Sequence, residues 1–426
     1  MFKAIIQKIL EHYVRRYFAK HSEVRLIVVT GSVGKTSTKR ALASLLSQRY
    51  RVRMHEGNHN TEIAAPLAIL GIDYPTSLHS VGAWVSIFRA ARQRVRSATD
   101  VDVIIQELGT DQPGDLAKFG HYLSPDVALL TAITPEHMEF FGTMDAVAKE
   151  EMSVSDFSKF VLINRDDVDS RYADYETNPN FSTYGTTGAA EYRFEQMDYD
   201  VETGYRGSII AVNHESFPVT INVLGEHSLR PVMGAIAAGL LMGLTPADIV
   251  SGLALIKPVP GRMNVMHGID GTIIIDDTYN SSPAAAAAAL QTLYSFNQAP
   301  QRIAVLGSMN ELGETSQSEH ETLGMLCDPG LLAWVVVVGD EAANHLAPAA
   351  RQRGCQVKVC RDAIEAGEFV RSVTEPGAVI LVKGSQGGIY LEEAVKILCN
   401  LTEDDELVRQ SEEWMKAKDG YFSRFK

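Results

Sequence analysis

Thr30-Gly31-Ser32-Val33-Gly34-Lys35-Thr36-Ser37 follows the apolar run Leu26-Ile27-Val28-Val29 and leads into Lys39-Arg40-Ala41-Leu42-Ala43-Ser44-Leu45-Leu46. The order is a buried strand, a tight glycine turn and a helix with apolar residues at helical spacing. Such a turn aims backbone N–H groups and the positive end of a helix dipole at one point, which suits a polyphosphate. Lys35 then reaches the β- and γ-phosphates of a nucleotide, and the Thr36 hydroxyl ligates Mg²⁺. Gly31, Ser32, Val33, Gly34 and Ser37 complete the expected ATP cradle. Val29 stands where the general P-loop pattern has Gly, so this is the narrower T-G-x-x-G-K-T-[ST] form.

Composition frames that motif. At 426 residues the chain is too long for one core and divides into two or three domains. Its 45% apolar and 22% charged residues are those of a globular protein. A net charge of −14 argues against a nucleic-acid-binding surface, though not against the local positive potential that a nucleotide needs. Cys327, Cys355, Cys360 and Cys399 fit no zinc spacing and read as buried thiols. No apolar run reaches the length of a membrane span and no signal peptide is visible, so the chain is expected in the cytoplasm.

Four segments follow from the pattern: 1–22, 23–262, 263–402 and 403–426. The first reads as an amphipathic helix with an apolar stripe (Phe2, Ile5, Ile6, Ile9, Leu10, Tyr13, Val14) and basic Lys3, Lys8, Arg15, Arg16 and Lys20. It either packs on its own domain or touches an anionic membrane or a protein partner. From Glu23 to about Asp167, strands at Leu26–Val29, Val101–Ile105, Val127–Thr131 and Phe160–Ile163 alternate with helices such as 37–48 and 114–121. That is a parallel α/β sheet, a P-loop-type central ATPase domain. Alternation in Tyr192-Arg193-Phe194 and Val219-Thr220-Ile221-Asn222-Val223, with Ile209-Ile210-Ala211-Val212 between, predicts a small antiparallel sheet appended to it. A helix over Arg230–Met242 precedes Pro258-Val259-Pro260-Gly261-Arg262, the expected inter-domain hinge. Strands at Thr272–Ile275, Ile303–Leu306, Trp334–Val338, Val357–Val359 and Ala378–Val382, with a helix at Ala284–Tyr294, predict a second, Rossmann-like α/β domain. The last segment reads as a terminal helix with a loose tail.

Two further residues carry chemistry by position. Glu107 closes the strand Val103-Ile104-Ile105-Gln106, where open α/β sheets bind ligands, and could hold the Mg²⁺ that bridges the phosphates. Read alone it is equally a solvated strand-end carboxylate. His137, just beyond the strand Val127–Thr131, is a structural histidine or a metal ligand.

At this point the chain resembles the Mur ligases. The resemblance runs through Thr30–Thr36, Gly57-Asn58-His59-Asn60-Thr61-Glu62-Ile63-Ala64-Ala65-Pro66, Glu107-Leu108-Gly109 and Glu136-His137-Met138-Glu139-Phe140-Phe141-Gly142. It continues through Gly261-Arg262, Asp276-Asp277-Thr278-Tyr279-Asn280-Ser281-Ser282-Pro283, Glu311-Leu312-Gly313, His320 and Lys383-Gly384-Ser385. It covers roughly residues 24–400, in order, and the Asp-Asp-Thr-Tyr-Asn run is most similar to the family member that adds D-alanyl-D-alanine. The resemblance implies an ATP- and Mg²⁺-dependent amide ligase acting through an acyl phosphate on small-molecule substrates: ATP, a nucleotide-sugar peptide, and a dipeptide or amino acid. It implies phosphate and Mg²⁺ roles for Lys35 and Thr36, metal binding by Glu107 and His137, phosphate contact by Arg262 and ribose contact by Asp277. Catalytic His320 and substrate-lining Asn58, Asn280, Lys383 and Ser385 follow in the same way.

The pattern departs from the family in four places. The family's second Mg²⁺ ligand, a carbamylated lysine, falls here at Glu151, whose own carboxylate could replace the carbamate; Lys149 is the other candidate under a shifted alignment. His227-Ser228-Leu229-Arg230-Pro231 lacks the two asparagines usual near the adenine, and Gln386 follows Ser385 where Arg is usual. The P-loop begins only about 30 residues in, which is expected to leave no room for the family's UDP-binding domain. The resemblance implies a ligase of peptidoglycan precursor synthesis. The alternatives are a ligase on another carboxylate, as in folylpolyglutamate synthases, and a non-catalytic nucleotide-binding subunit.

Overall fold

The computed structural model describes residues 2–55, 60–75, 80–201, 203–257, 259–402 and 405–425. Pro258 of the expected hinge and the first two residues of the expected tail, 403 and 404, lie outside them. The chain forms two compact units. One comprises Met1–Thr134, Phe140–Asn222 and Leu229–Ile256; the other comprises Pro135–Glu139, Val223–Ser228 and Lys257–Lys426.

The first unit is built on strands β1 (Arg25–Thr30), β2 (Val52–Met54), β3 (Val103–Glu107), β4 (Val127–Leu130), β5 (Val161–Asn164), β6 (Phe181–Gly185), β7 (Tyr192–Asp200), β8 (Gly204–Ile210) and β9 (Phe217–Ile221). They lie in one sheet, in the order β2-β3-β1-β4-β5-β6-β7-β8-β9. The pairs from β2 to β7 are parallel, and β7-β8 and β8-β9 are antiparallel. The antiparallel strands are thus not a separate sheet: β7 pairs with β6 through Tyr184↔Tyr192 and Gly185↔Arg193 and extends the central sheet. Strands β3, β4 and β5 are buried along their whole length, as expected when helices cover both faces of a parallel sheet. The alternating burial of β9 marks a sheet with one face covered.

Helices α1 (Phe2–Lys20), α2 (Lys35–Leu46), α3 (Ala64–Leu70) and α4 (Val81–Arg96) pack on this sheet. Ile6, Leu10 and Val14 of the apolar stripe of α1 go inward, while Ile5 stays exposed. Ile6 and Leu10 cluster with Leu67, Trp84 and Ile87, while Val14 and Tyr17 join the core beside Ala91 and Val95. Sequence reading overlooked β2, β6, α3 and α4, which are short or carry arginines that mask an amphipathic pattern. Among the described residues no helix is long and apolar enough to cross a membrane.

The second unit holds β10 (Asn264–His267), β11 (Ile273–Asp277), β12 (Arg302–Gly307), β13 (Trp334–Val338), β14 (Val357–Cys360) and β15 (Val379–Lys383). Their order is β10-β11-β15-β12-β13-β14, all parallel except β10. This is the expected doubly wound domain with one antiparallel edge strand added. All four cysteines lie here as free, buried thiols.

The C-terminal segment carries the expected terminal helix, but the residues before and within it are tied down rather than loose. The Arg409 guanidinium pairs with both oxygens of Glu392, at 2.9 and 2.7 Å, and donates to the carbonyls of Thr278 and Tyr279 at 2.6 and 3.1 Å. Lys418, in the helix Glu412–Phe422, reaches Glu392 at 2.8 Å and Glu393 at 2.6 Å while only 2% exposed. Glu392 has no exposed surface, so its charge depends on these two cations. Arg409→Ala is expected to destabilise this unit by about 3 kcal/mol, read from urea unfolding, with Arg409→Lys recovering part of the loss.

Candidate active site

Chain order reverses around β1: the chain runs out to β2, returns through β3 beside β1, and then enters β4 on the other side. Open α/β sheets bind ligands beyond the carboxyl ends of strands at such a point. Register fixes what gathers there. Val29 pairs with Glu107, and Thr30 pairs with Leu130, so the ends of β1, β3 and β4 meet at one level.

The loop after β1 is shaped by two glycines and held by residues following β4. Gly31 has φ +121°, and a Cβ there would lie 2.3 Å from Thr131 Oγ1 and 2.8 Å from the Ala132 nitrogen. No other residue fits that conformation and that space. The Thr131 hydroxyl lies 2.9 Å from the Thr30 carbonyl oxygen and 2.6 Å from that of Val33. The Ser32 N–H donates to the Ala132 carbonyl at 2.9 Å, and its hydroxyl accepts from the Thr134 N–H at 3.0 Å. Gly34, at φ +87°, opens α2 with no side-chain cap, leaving the first N–H groups of the helix turned toward the loop. The Lys35 ammonium donates back to the Gly31 and Ser32 carbonyls, across the mouth of the loop.

Beneath the loop sit the charged groups. The Thr36 hydroxyl donates to Glu107 Oε2 at 3.1 Å, and Lys39 Nζ lies 3.2 Å from the same oxygen. Glu107 and Lys39 are 3% and 2% exposed, so each neutralises the other where water cannot. Glu107 is therefore a buried, paired carboxylate rather than a solvated strand end. Lys39 was not singled out from sequence; its signal is a lysine one helical turn after Lys35, on the same face of a helix that opens at the phosphate loop.

Glu151 joins this group. It lies in the helix Met144–Met152, capped by the Thr143 side chain, and is 2% exposed. Its Oε2 accepts from the Thr30 hydroxyl at 2.6 Å and its Oε1 from the Thr110 hydroxyl at 2.9 Å. Burial pushes its carboxyl above the usual range, opposed by the Lys35 charge and the two hydroxyls. Its neighbours point elsewhere. Glu150 accepts from the Gly114 and Leu116 N–H groups, both at 2.7 Å, at the start of the helix Asp115–Gly120. Lys149 is exposed and stands over the Tyr175 ring at 5.5 Å. Between the two residues that sequence left open, the side chain at β1 is Glu151. Asn60, from the same motif as Asn58, packs against Gly109: its carbonyl accepts from the Gly109 N–H at 3.2 Å. Asn58 itself lies outside the described residues.

In the second unit the strand ends of β11 and β15 supply an analogous pair. Asp277 and Lys383 are register partners, and Lys383 Nζ donates to Asp277 Oδ2 at 2.6 Å and to the Asn280 carbonyl at 3.0 Å. Arg262 lies with its guanidinium 4.3 Å from the centre of the Tyr279 ring. The turn before it is locked by the Gly261 N–H donating to Asp276 Oδ2 at 2.9 Å, and by the Tyr279 N–H donating to the Gly261 carbonyl at 3.0 Å. His320 is fully buried: Nε2 accepts from the Met309 N–H at 2.9 Å, and Nδ1 faces the Ser316 carbonyl at 2.8 Å. Burial lowers its pKa, so it stays neutral and braces the loop after β12. Ser385 accepts from the Asn310 N–H at 3.1 Å in the same loop. His137, on the Pro135–Glu139 stretch, has Nδ1 3.0 Å from Glu311 Oε2 and a positive φ of 50°. Among the described residues no three His, Cys, Asp or Glu side chains form a ready metal cluster.

Asp276 provides a pH test of this architecture. Burial pushes its carboxyl up to about 6, although Thr278 and the Gly261 N–H donate to it. The folded-state pKa lies above the unfolded one, so its stabilising contribution is present below about pH 4 and lost as pH rises through about 6. Unfolding free energy measured in urea should fall across that window by up to about 3 kcal/mol more for the wild type than for Asp276→Asn.

Comparison with known proteins agrees with the layout. Residues 29–239 match the Mur ligase middle domain, and residues 261–386 match the Mur ligase, glutamate ligase domain. The UDP-N-acetylmuramoyl-tripeptide–D-alanyl-D-alanine ligase of Bacillus subtilis is 29% identical over 380 residues, which are 88% of this chain and 76% of that protein. The Escherichia coli protein of the same name is 26% identical over 321 residues, 75% of this chain and 65% of that protein. The crystal structure of MurF ligase from Thermotoga maritima in complex with ADP superposes with a TM-score of 0.74 at 26% identity, covering 92% of this chain and 83% of that one. With both domain types matched in order and the phosphate loop, Glu107 and Asp277 at their strand ends, the chain belongs to the Mur ligase family.

Proposed function

We propose that this chain is an ATP-dependent peptide ligase that joins D-alanyl-D-alanine to a UDP-muramoyl peptide through an acyl phosphate. The observation that carries the reading is one cluster of strand ends: the Gly31–Gly34 cradle, the Lys35 ammonium, the Thr36 hydroxyl, and the buried Glu107 and Glu151 carboxylates. The names of the relatives supply the substrate class. In the reaction a carboxylate oxygen of the peptide attacks the γ-phosphorus of ATP and ADP leaves. The amine nitrogen then attacks the acyl carbon, phosphate departs, and the amine loses a proton as the amide forms.

What such phosphoryl transfer needs from a protein is positioning and charge compensation. The loop N–H groups and the start of α2 orient the phosphates, and Lys35 exchanges its carbonyl partners for phosphate oxygens. A hydroxyl and a carboxylate oxygen 3.1 Å apart, both buried, form a hard donor set that fits Mg²⁺. We assign Thr36 and Glu107 to that ion, which would neutralise the phosphate charge, and Glu151 to the second Mg²⁺ that the family resemblance implies; the metal role of His137 rests on that resemblance alone. Arg262 and Asp277 are assigned to phosphate and ribose, Asn58, Asn280, Lys383 and Ser385 to substrate. His320 is assigned to positioning rather than to contact with the reacting atoms.

Phosphate release from ATP and Mg²⁺ with UDP-muramoyl tripeptide is expected only when D-alanyl-D-alanine is also present. Release with another carboxylate or amine instead would reassign the substrates, and ATP binding without release would remove the ligase reading. Because Glu151 is a carboxylate by itself, turnover should not change when bicarbonate and CO₂ are stripped from the buffer. Glu151→Gln should lower kcat at least tenfold with little change in unfolding free energy.

A further inference from the structure

The two helices that cover the outer layer of the first unit carry a charge that the reaction does not use. Helix α1 holds Lys3, Lys8, Arg15, Arg16 and Lys20, and α4 holds Arg89, Arg92, Arg94 and Arg96. Against these nine cations stands a single acid, Glu11, in a chain whose 53 acids outnumber its 39 Lys and Arg. Arg94 is taken up by Asp100, which also holds Arg53. Among the described residues Arg15, Arg16, Arg89, Arg92 and Arg96 enter no ion pair with their side chains, and all five are exposed.

The helices run side by side in the same direction. The first half of α1 packs against Trp84 and Ile87, and its second half against Ala91 and Val95. Lys20 Nζ donates to the Arg96 carbonyl at 2.6 Å, tying the two C-terminal ends together. The outward stripe of α4 is Val81, Val85, Arg89, Arg92 and Arg96, at helical spacing. Val81 and Val85 are 65% and 41% exposed, and Ile5, at the corresponding end of α1, is 52% exposed. Exposed aliphatic side chains thus lie at one end of the layer and unpaired arginines at the other.

We propose that this α1–α4 layer is a docking surface for an anionic phospholipid membrane, with the arginines on headgroup phosphates and Ile5, Val81 and Val85 at the acyl boundary. Charge complementarity selects the occupant: the rest of this acidic chain is repelled by such a surface, so the layer also sets the orientation of approach. Aliphatic side chains beside the cations fit a lipid interface better than a nucleic acid, which offers phosphate but no hydrocarbon. Contact would be peripheral and reversible.

The test is flotation of the full chain with vesicles of equal parts phosphatidylglycerol and phosphatidylcholine, set against phosphatidylcholine alone. Partition should need the anionic lipid and vanish as NaCl is raised from about 0.05 M to about 0.5 M. The triple variant Arg89→Gln, Arg92→Gln, Arg96→Gln should partition about a hundredfold more weakly, at about fivefold for each cation near the surface. Its thermal unfolding and phosphate release should match wild type, since none of the three touches the core or the phosphate loop. Val81→Ser with Val85→Ser should weaken partition while leaving heparin binding unchanged. Equal partition to both vesicle types would overturn the proposal, as would wild-type partition by the triple variant. Insensitivity to the valine changes would also overturn it, reducing the layer to a general polyanion site such as an acidic protein or nucleic acid would use.

Discussion

The first unit depends on burying a carboxylate at the end of a central strand. Glu107 is almost fully enclosed, and an isolated charge there would cost several kcal/mol. Lys39 and the Thr36 hydroxyl offset that cost, and both belong to the helix that begins at the phosphate loop. The start of α2 is thereby tied to β3 as well as to β1, and the loop between them has little freedom. Thr131 and Thr134 close it from the β4 side. A cradle fixed by three strands is preorganised for phosphate, which lowers the reorganisation that binding and phosphoryl transfer would otherwise require.

The second unit repeats the solution with different residues. Asp277 and Lys383 face each other across β11 and β15, and the following loop is held by Arg409 from near the C-terminus. Arg409 is the link between a segment far along the chain and the Thr278–Tyr279 carbonyls beside Asp277. Both units place ionisable groups at the carboxyl ends of parallel strands, where side chains leave the sheet without interrupting its hydrogen bonds. Both neutralise those groups inside the same unit.

Much of this was legible in the chain. The glycine turn between an apolar run and an amphipathic run identifies the phosphate loop, because a positive φ and a close backbone approach admit little else. Continuous apolar runs of four to six residues located the central parallel strands to within two residues, because strands covered on both faces have no polar side to blur them. Short β2, β6 and β10 were missed for the opposite reason: they are edge or junction pieces whose burial comes from neighbours rather than from their own residues.

The sequence by itself determined the central parallel strands of both units, the phosphate loop and the presence of carboxylates at strand ends, since these depend on local periodicity and backbone preference. Tertiary structure decided the rest. Only the fold turns Glu151 rather than Lys149 toward β1, because a helix shows which of two nearby residues faces inward only once its packing is known. Only the fold sets Lys39 against Glu107, since the partners lie 68 residues apart and meet through sheet register. The tail of the charged C-terminal segment read as loose for the same reason: Glu392, the anion that draws in Arg409 and Lys418, is distant enough in sequence that no local pattern announces it.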